Sequence, residues 1–316
     1  MTARGPRRGA APCRPGLTLL ELLVVLAIVG LVAVMLIPAV QAAREASRGM
    51  VCRHHVHQLG LAASQHHDSR GRFPAGSLIA ADGTSWGLTV PLLPYFEEKP
   101  LFDAVALRGG GACAQIRARQ AAGLTEPAGR RLAWLTCPSD PQAGRPLKSG
   151  PAGPLPTSGD CGTLYPGNYL GVAGAEEAVD AAQPINKCFT SRGIAAGSGI
   201  YYDDSRTRMQ DVADGLSKTL AIGERGLPDN LGWGWVIAGG QECEQYLGAA
   251  RGVFRPTLPG NAVTADEALL HWWSWHPGGS SFALADGSVR AISPDVDHAV
   301  FMALATRAGG EVAVVP

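Results

Sequence analysis

Hydrophobic residues are spread along this 316-residue chain in three patterns, and each predicts a different kind of element. From Leu17 to Ile37 they are nearly continuous: twenty-one residues carry one charge, Glu21. That length suits a helix crossing a bilayer, which needs ~20 apolar residues. A retained acid inside such a run is a functional candidate, because an ionisable group is costly there. Over residues 39–68 the small and apolar positions thin to a stripe, Ala42, Ala46, Gly49, Cys52, Val56, Leu59 and Ala63, spaced by three and four. This predicts one buried helix face. Pro38 removes one backbone hydrogen bond and should bend the helix without breaking it. Gly71 and Pro74 then stop it. The expectation is one helix from Leu17 to about Asp68, ~75–80 Å long at 1.5 Å per residue.

Beyond residue 68 the apolar runs are short and broken by glycine and proline, which predicts a mixed α+β head, mainly antiparallel, with irregular loops. Strands are expected at Trp86–Val90, Asn168–Ala173, Lys218–Gly223, Trp233–Ala238 and Glu311–Val315, with a short helical segment at Pro91–Glu97. A helix is expected at Asp295–Ala308, with Val296, Val300, Phe301 and Leu304 on one face. Residues 141–167 hold many prolines and glycines and read as a long loop. Phe282 and Leu284 alternate with small residues ahead of Asp286-Gly287, which predicts a hairpin with a type I′ turn. The division that follows is a basic leader (1–16), a membrane helix (17–37), a helical stalk (38–68) and the head (69–316).

Charge sharpens this division. The chain has 27 basic and 27 acidic residues, and the leader carries Arg4, Arg7, Arg8 and Arg14 with no acid. A basic leader stays on the cytosolic side of a membrane. Its loss would leave a net charge of −4, which argues against nucleic acid as a partner. The seven cysteines include Cys13 in the leader. The other six permit disulfides outside the cytosol, in 15 pairings that the sequence does not separate. No Cys-x-x-Cys spacing occurs.

Gly16 directly before an apolar run with an acid five residues later resembles the processing site of type IV prepilins and type II secretion pseudopilins. The resemblance implies cleavage between Gly16 and Leu17 by a prepilin peptidase, and methylation of the new N-terminus, with Leu17 standing where phenylalanine is usual. It also implies that Glu21 faces the N-terminal amine of a neighbouring pilin-like subunit during assembly, and that Pro38 is the kink of the pilin helix. The implied location is the inner membrane, single-pass, with the N-terminus inside and the head outside.

Near the other end, His276, nine intervening residues and then Asp286-Gly287 resemble the signature of a poorly characterised domain of unknown function that accompanies prepilin-type N-termini. Cys52 with Gln58-Leu59-Gly60, Gly71-Arg72-Phe73-Pro74, Leu93–Glu97, Cys137-Pro138-Ser139-Asp140, Asn168-Tyr169 and Gly223-Glu224 match the same family. The likeness covers residues 16 to 316.

Candidate chemistry in the head is sparse. His276, Asp286 and Ser280 or Ser281 could form a triad on paper, but no Gly-x-Ser-x-Gly elbow accompanies them. The acid pairs Glu176-Glu177 and Asp203-Asp204 sit in loops, and adjacent residues seldom aim at one centre. No enzymatic activity is therefore expected. No cofactor is called for, although Asp203, Asp204, Asp211 and Asp214 gather oxygen ligands of the kind calcium uses. His54, His55, His57, His66 and His67 read as a solvated polar face. The favoured function is a pilin-like structural subunit. The alternative is a membrane-tethered module that binds a carbohydrate or other solute without polymerising, using Trp272, Trp273 and Trp275 beside His271 and His276, although the default reading of these tryptophans is core or loop packing. The solute-binding label of the resembled family is weak support for such a ligand role.

Overall fold

The computed structural model describes residues 18–79, 85–105, 107, 112–124, 129–146, 163–176, 197–227, 238–239, 246–254 and 271–311. The leader, Gly16 and Leu17, Cys13, Cys161, Cys188 and Cys243, Glu177, most of the strands expected at 233–238 and 311–315, and much of the 141–167 loop lie outside them. The chain divides into two units, residues 1–46 and 47–316.

A single helix, α1 (Leu19–Arg70), is 52 residues long and runs through Pro38 without a break. Its first part is apolar all round: an 18-residue window reaches a mean hydropathy of 3.0 with none of it buried. That is a membrane-span composition, with no stripe to direct it into a protein core. From Ser47 onward the helix belongs to the second unit. There Cys52, Val56, Leu59, Gly60, Ala62 and Ala63 are buried, so the stripe expected from spacing is the packed face from Cys52 onward, while Ala42 and Ala46 are exposed.

The rest of the second unit is an α+β head. Five strands are ordered β6-β3-β4-β7-β8: β3 (Tyr169–Val172), β4 (Leu220–Glu224), β6 (Tyr246–Leu247), β7 (Ser280–Leu284) and β8 (Val289–Ile292). All neighbours are antiparallel except β3 and β6. Three shorter strands pair as β1 (Ser77–Ile79), β2 (Ser85–Gly87) and β5 (Ala238–Gly239). The strand expected at Trp86–Val90 is therefore shorter, because the chain turns from Leu88 through Leu92 into a 3-10 helix at Leu93–Phe96. Two short helices follow, α2 (Lys99–Asp103) and α3 (Ala112–Ala121).

The last helix, α4, covers His298–Ala305, within the expected span. Asp297 sets its start by accepting the Val300 N–H at 3.1 Å, as an N-cap does. Phe301, Leu304 and Ala305 are buried. The core they join includes Trp86, Trp272, Trp273, Tyr169, Tyr201 and Phe282.

The β7–β8 hairpin forms where Asp286-Gly287 placed it, but with a different turn. The Gly287 N–H donates to the Leu284 carbonyl at 2.9 Å. The Ser288 N–H donates to the Asp286 carboxylate at 2.8 Å. In this turn the positive φ belongs to Gly287, +85°. One left-handed residue, not two, fits a type I turn closed by a glycine bulge in place of type I′.

The hairpin also fixes how closely α1 approaches. A Cβ on Gly60 would lie 3.2 Å from the Cα of Gly287 and 3.2 Å from the Cβ of Ala283. Two main chains are therefore almost in contact, which explains a glycine inside a helix, where it is otherwise unfavourable. Gly60→Leu is expected to cost about 1–3 kcal/mol by overpacking, read as a lowered thermal midpoint. An unchanged midpoint would mean that the helix does not seat on the hairpin.

Candidate functional site

The N-terminal candidate is local. Thr18 is the residue before α1, and Glu21 is its third helical residue. The Thr18 N–H and hydroxyl both donate to Glu21 Oε2 at 2.8 Å, and the Glu21 N–H donates back to Thr18 Oγ1 at 3.3 Å. This is a capping box, which satisfies free N–H groups at a helix start. Within one chain, then, the acid of the apolar run is engaged by its own helix end.

The head holds a second candidate, made of residues far apart in sequence. Cys52 comes from the packed face of α1, Cys137 from the turn after the 3-10 helix at Ala133–Leu135, Glu224 from the end of β4 and His276 from the loop before β7. Their ligand atoms all lie within 4.8 Å of one another. His276 Nε2 is 3.3 Å from Cys137 Sγ and 3.3 Å from Glu224 Oε1. Both cysteines are buried free thiols, Glu224 is 1% exposed, and the His276 side chain is 9% exposed.

Each member has support. Asn168 accepts the Cys137 N–H at 2.8 Å and donates to Asp140 at 2.7 Å and to the Arg225 carbonyl at 3.0 Å. One buried amide thus ties the Cys137 turn to the end of β4. Asp140 also accepts the N–H groups of Leu227 at 2.8 Å and Gln142 at 2.9 Å. Burial pushes its carboxyl up to about 6, against the pull of these donors. Ser274 accepts the His276 N–H and donates to the Gly279 carbonyl, both at 3.0 Å, closing a tight loop. Gly49 of α1 leaves room for the imidazole: a Cβ there would sit 3.5 Å from His276 Nδ1.

The electrostatics are mutual. The Cys137 thiol beside Cys52 draws the Cys52 pKa down to about 7, against the opposing effect of burial. The same contact, together with burial, pushes Cys137 well up. Burial opposes charge on His276, yet hydrogen bonds to Cys52 and Glu224 carry it up to about 11. Cys52, Cys137 and His276 thus respond to one another at one point inside an apolar head.

The other candidates separate. His276 and Asp286 of the signature lie at opposite ends of β7. The histidine belongs to the cluster, while Asp286 serves the turn and Gly287 meets α1. Ser280 and Ser281 are buried in β7, and the Ser281 N–H donates to Glu224 at 3.4 Å. Among the calcium candidates, Asp211 pairs with Arg208 at 3.0 Å, and Asp214 accepts the N–H groups of Gly309 at 2.7 Å and Gly310 at 2.9 Å. Asp203 bridges to Ser77 of β1, and Asp204 donates its N–H to the Ser77 carbonyl. Glu176 accepts the Ser198 N–H and hydroxyl.

One expectation needs correction, and the ligand role of the tryptophans loses two of its residues. Trp272 and Trp273 are fully buried, and Trp272 Nε1 donates to the Gly248 carbonyl, so neither offers a face to a ligand. The histidines of α1 are not one solvated face. His55 contacts the Tyr169 hydroxyl at 3.2 Å, His66 the Arg72 carbonyl at 3.0 Å, and His67 accepts the Met209 N–H at 3.1 Å, while His54 and His57 are exposed. His55 and His67 therefore dock the helix on the head, and His66 closes its C-terminal end. A cavity of about 540 Å³ opens beside its end, lined by Arg70, Arg72, Phe73, Tyr95, Phe102 and Arg206 among others.

With this architecture in view, the chain's class is clear. Residues 41–299 match the model of the family described as a protein of unknown function (DUF1559), and the chain belongs to that family. Residues 13–37 match the prokaryotic N-terminal methylation motif. That motif implies processing by a prepilin peptidase and association with other pilin-like subunits, and together with the apolar helix it fits a membrane-anchored protein. Neither a curated protein nor a solved structure matches the chain.

Proposed function

We propose that the protein is a non-enzymatic pilin-like or pseudopilin-like subunit. It is inserted with its N-terminus inside and its head outside the inner membrane, cut after Gly16 and assembled through its N-terminal helix. The observation that carries this reading is the apolar start of α1, exposed on all sides and holding one acid at its third residue, inside the stretch matched by the methylation motif. Cleavage would place the new amine on Leu17, next to the capping threonine. Where water is scarce, Glu21 then gains by facing the amine of a neighbouring subunit.

Mass spectrometry of the mature N-terminus tests the processing step: a chain beginning at Leu17 is expected, and one retaining the arginines or lacking the apolar helix would refute it. Glu21→Gln tests assembly, because glutamine also serves at the third position of a capping box but carries no charge. Insertion should persist while incorporation into a filament or complex falls at least tenfold. Full incorporation would remove the charge-pairing role.

A second reading is favoured by the cavity beside the end of α1. Its basic and aromatic lining suits a tethered module that holds an anionic or ring-bearing solute without polymerising.

A further inference from the structure

Cys52, Cys137, Glu224 and His276 meet in the head for no reason that packing supplies. An apolar core gains little from two thiols, an imidazole and a carboxylate brought together, since buried ionisable groups are stabilised less well than hydrophobic residues of similar size. Ligand atoms converging from four separate segments on one point are what a metal ion requires. We propose that these four side chains bind one zinc ion.

The donor set selects the metal. Calcium and magnesium take oxygen ligands, and this site offers at most one carboxylate. Thiolate with imidazole suits a softer ion, and zinc accepts cysteine, histidine and carboxylate together in a tetrahedron. With bonds of about 2.0–2.3 Å, neighbouring ligand atoms of such a tetrahedron lie roughly 3.3–3.8 Å apart. His276 already sits 3.3 Å from both Cys137 and Glu224, and no pair exceeds 4.8 Å. Closing round an ion therefore needs the longest edge to shorten by about 1.5 Å or less.

The outer shell is in place as well. Asn168 fixes the backbone of Cys137, the Ser281 N–H holds Glu224, and the Ser274 loop orients His276. Partners of this kind aim metal ligands. Binding needs both cysteines as thiolates and the histidine neutral, so protons held by these groups pass to solvent as the ion enters, leaving two thiolates, a neutral histidine and the carboxylate on the ion. Four protein ligands leave no open position, so the site is structural, not catalytic. It staples α1 to the Cys137 turn, β4 and the loop before β7. A disulfide between Cys52 and Cys137 excludes this arrangement and is its direct competitor outside the cytosol. The proposal goes beyond the pilin reading and stands whether or not the chain polymerises.

The test uses the full chain purified in detergent without chelator. Elemental analysis should find about one zinc per chain, and X-ray absorption at the zinc edge should show two sulfur neighbours near 2.3 Å and two nitrogen or oxygen neighbours near 2.0 Å. Cys137→Ser and His276→Ala should lower zinc content at least tenfold. If these variants do not fold, the absorption spectrum of the unaltered protein decides alone. Three results would overturn the proposal: peptide mapping that finds Cys52 and Cys137 joined as a disulfide, a protein that takes up no zinc while both thiols react with alkylating agent, or bound zinc whose shell lacks sulfur.

Discussion

Gly223→Ala is expected to destabilise the head by about 3 kcal/mol or more, with the thermal midpoint of the full chain falling accordingly. Gly223 lies in β4, paired with Leu170 of β3 and Phe282 of β7. A Cβ at this position would sit 2.3 Å from Phe282 Cε1 and 2.5 Å from Trp272 Cζ3, both far inside van der Waals contact. Neither ring can retreat, because both side chains are fully buried and their centroids lie 5.0 Å apart. Phe282 is backed in turn by Phe301 of α4 at 5.6 Å. The glycine is the flat floor on which these rings rest. The next residue is Glu224, so a shift of the strand would also move one member of the cysteine–histidine cluster. A midpoint unchanged within error would show that the rings can rearrange and that this packing is looser than described.

Asp140→Ala should have an effect of similar size for a different reason. The carboxylate is 5% exposed and accepts three hydrogen bonds, from Asn168 Nδ2, the Leu227 N–H and the Gln142 N–H. Truncation leaves buried donors without an acceptor, each costing roughly 1–3 kcal/mol. The summed loss should be about 3–5 kcal/mol. Because Asn168 also holds the Cys137 backbone, the variant should retain less zinc than the unaltered protein at equal chelator. Asp140→Asn keeps one acceptor oxygen for Asn168 and Leu227 but turns its NH2 toward the Gln142 N–H, so it should rescue the loss only in part. Full rescue by asparagine would show that the bond from the Gln142 N–H contributes little.

Much of the helical and strand layout was legible in the sequence. The stripe of Cys52, Val56, Leu59 and Ala63 marks the buried face of α1, and Asp286-Gly287 marks the hairpin. The strand at Asn168–Ala173 and the helix near residue 300 follow from local pattern and capping. What escaped depends on tertiary contacts. The turn type follows from the backbone of Asp286, which residue identity leaves open. The docking histidines looked solvated because their partners, Tyr169 and Met209, lie over a hundred residues away. The tryptophans near residue 272 could be core or cleft by composition, and the sheet decided for core.

The cysteine–histidine cluster was visible only in fragments. Cys52, Cys137, Glu224 and His276 each sit in a stretch that resembles the family, and Glu224 carried no chemistry of its own in that reading. Metal motifs are usually recognised by short spacings on one turn or helix. Here each ligand sits on a different segment, so no local spacing could betray the group.

The contact between Gly60 and Gly287 bears on how the second unit would respond to load. Side chains at an ordinary helix–sheet boundary can hop between rotamers and absorb small sliding movements. Backbone against backbone has no such slack. Tension reaching the segment after Ser47 would thus pass straight into the β7–β8 edge of the five-stranded sheet, with little cushioning between rod and plate.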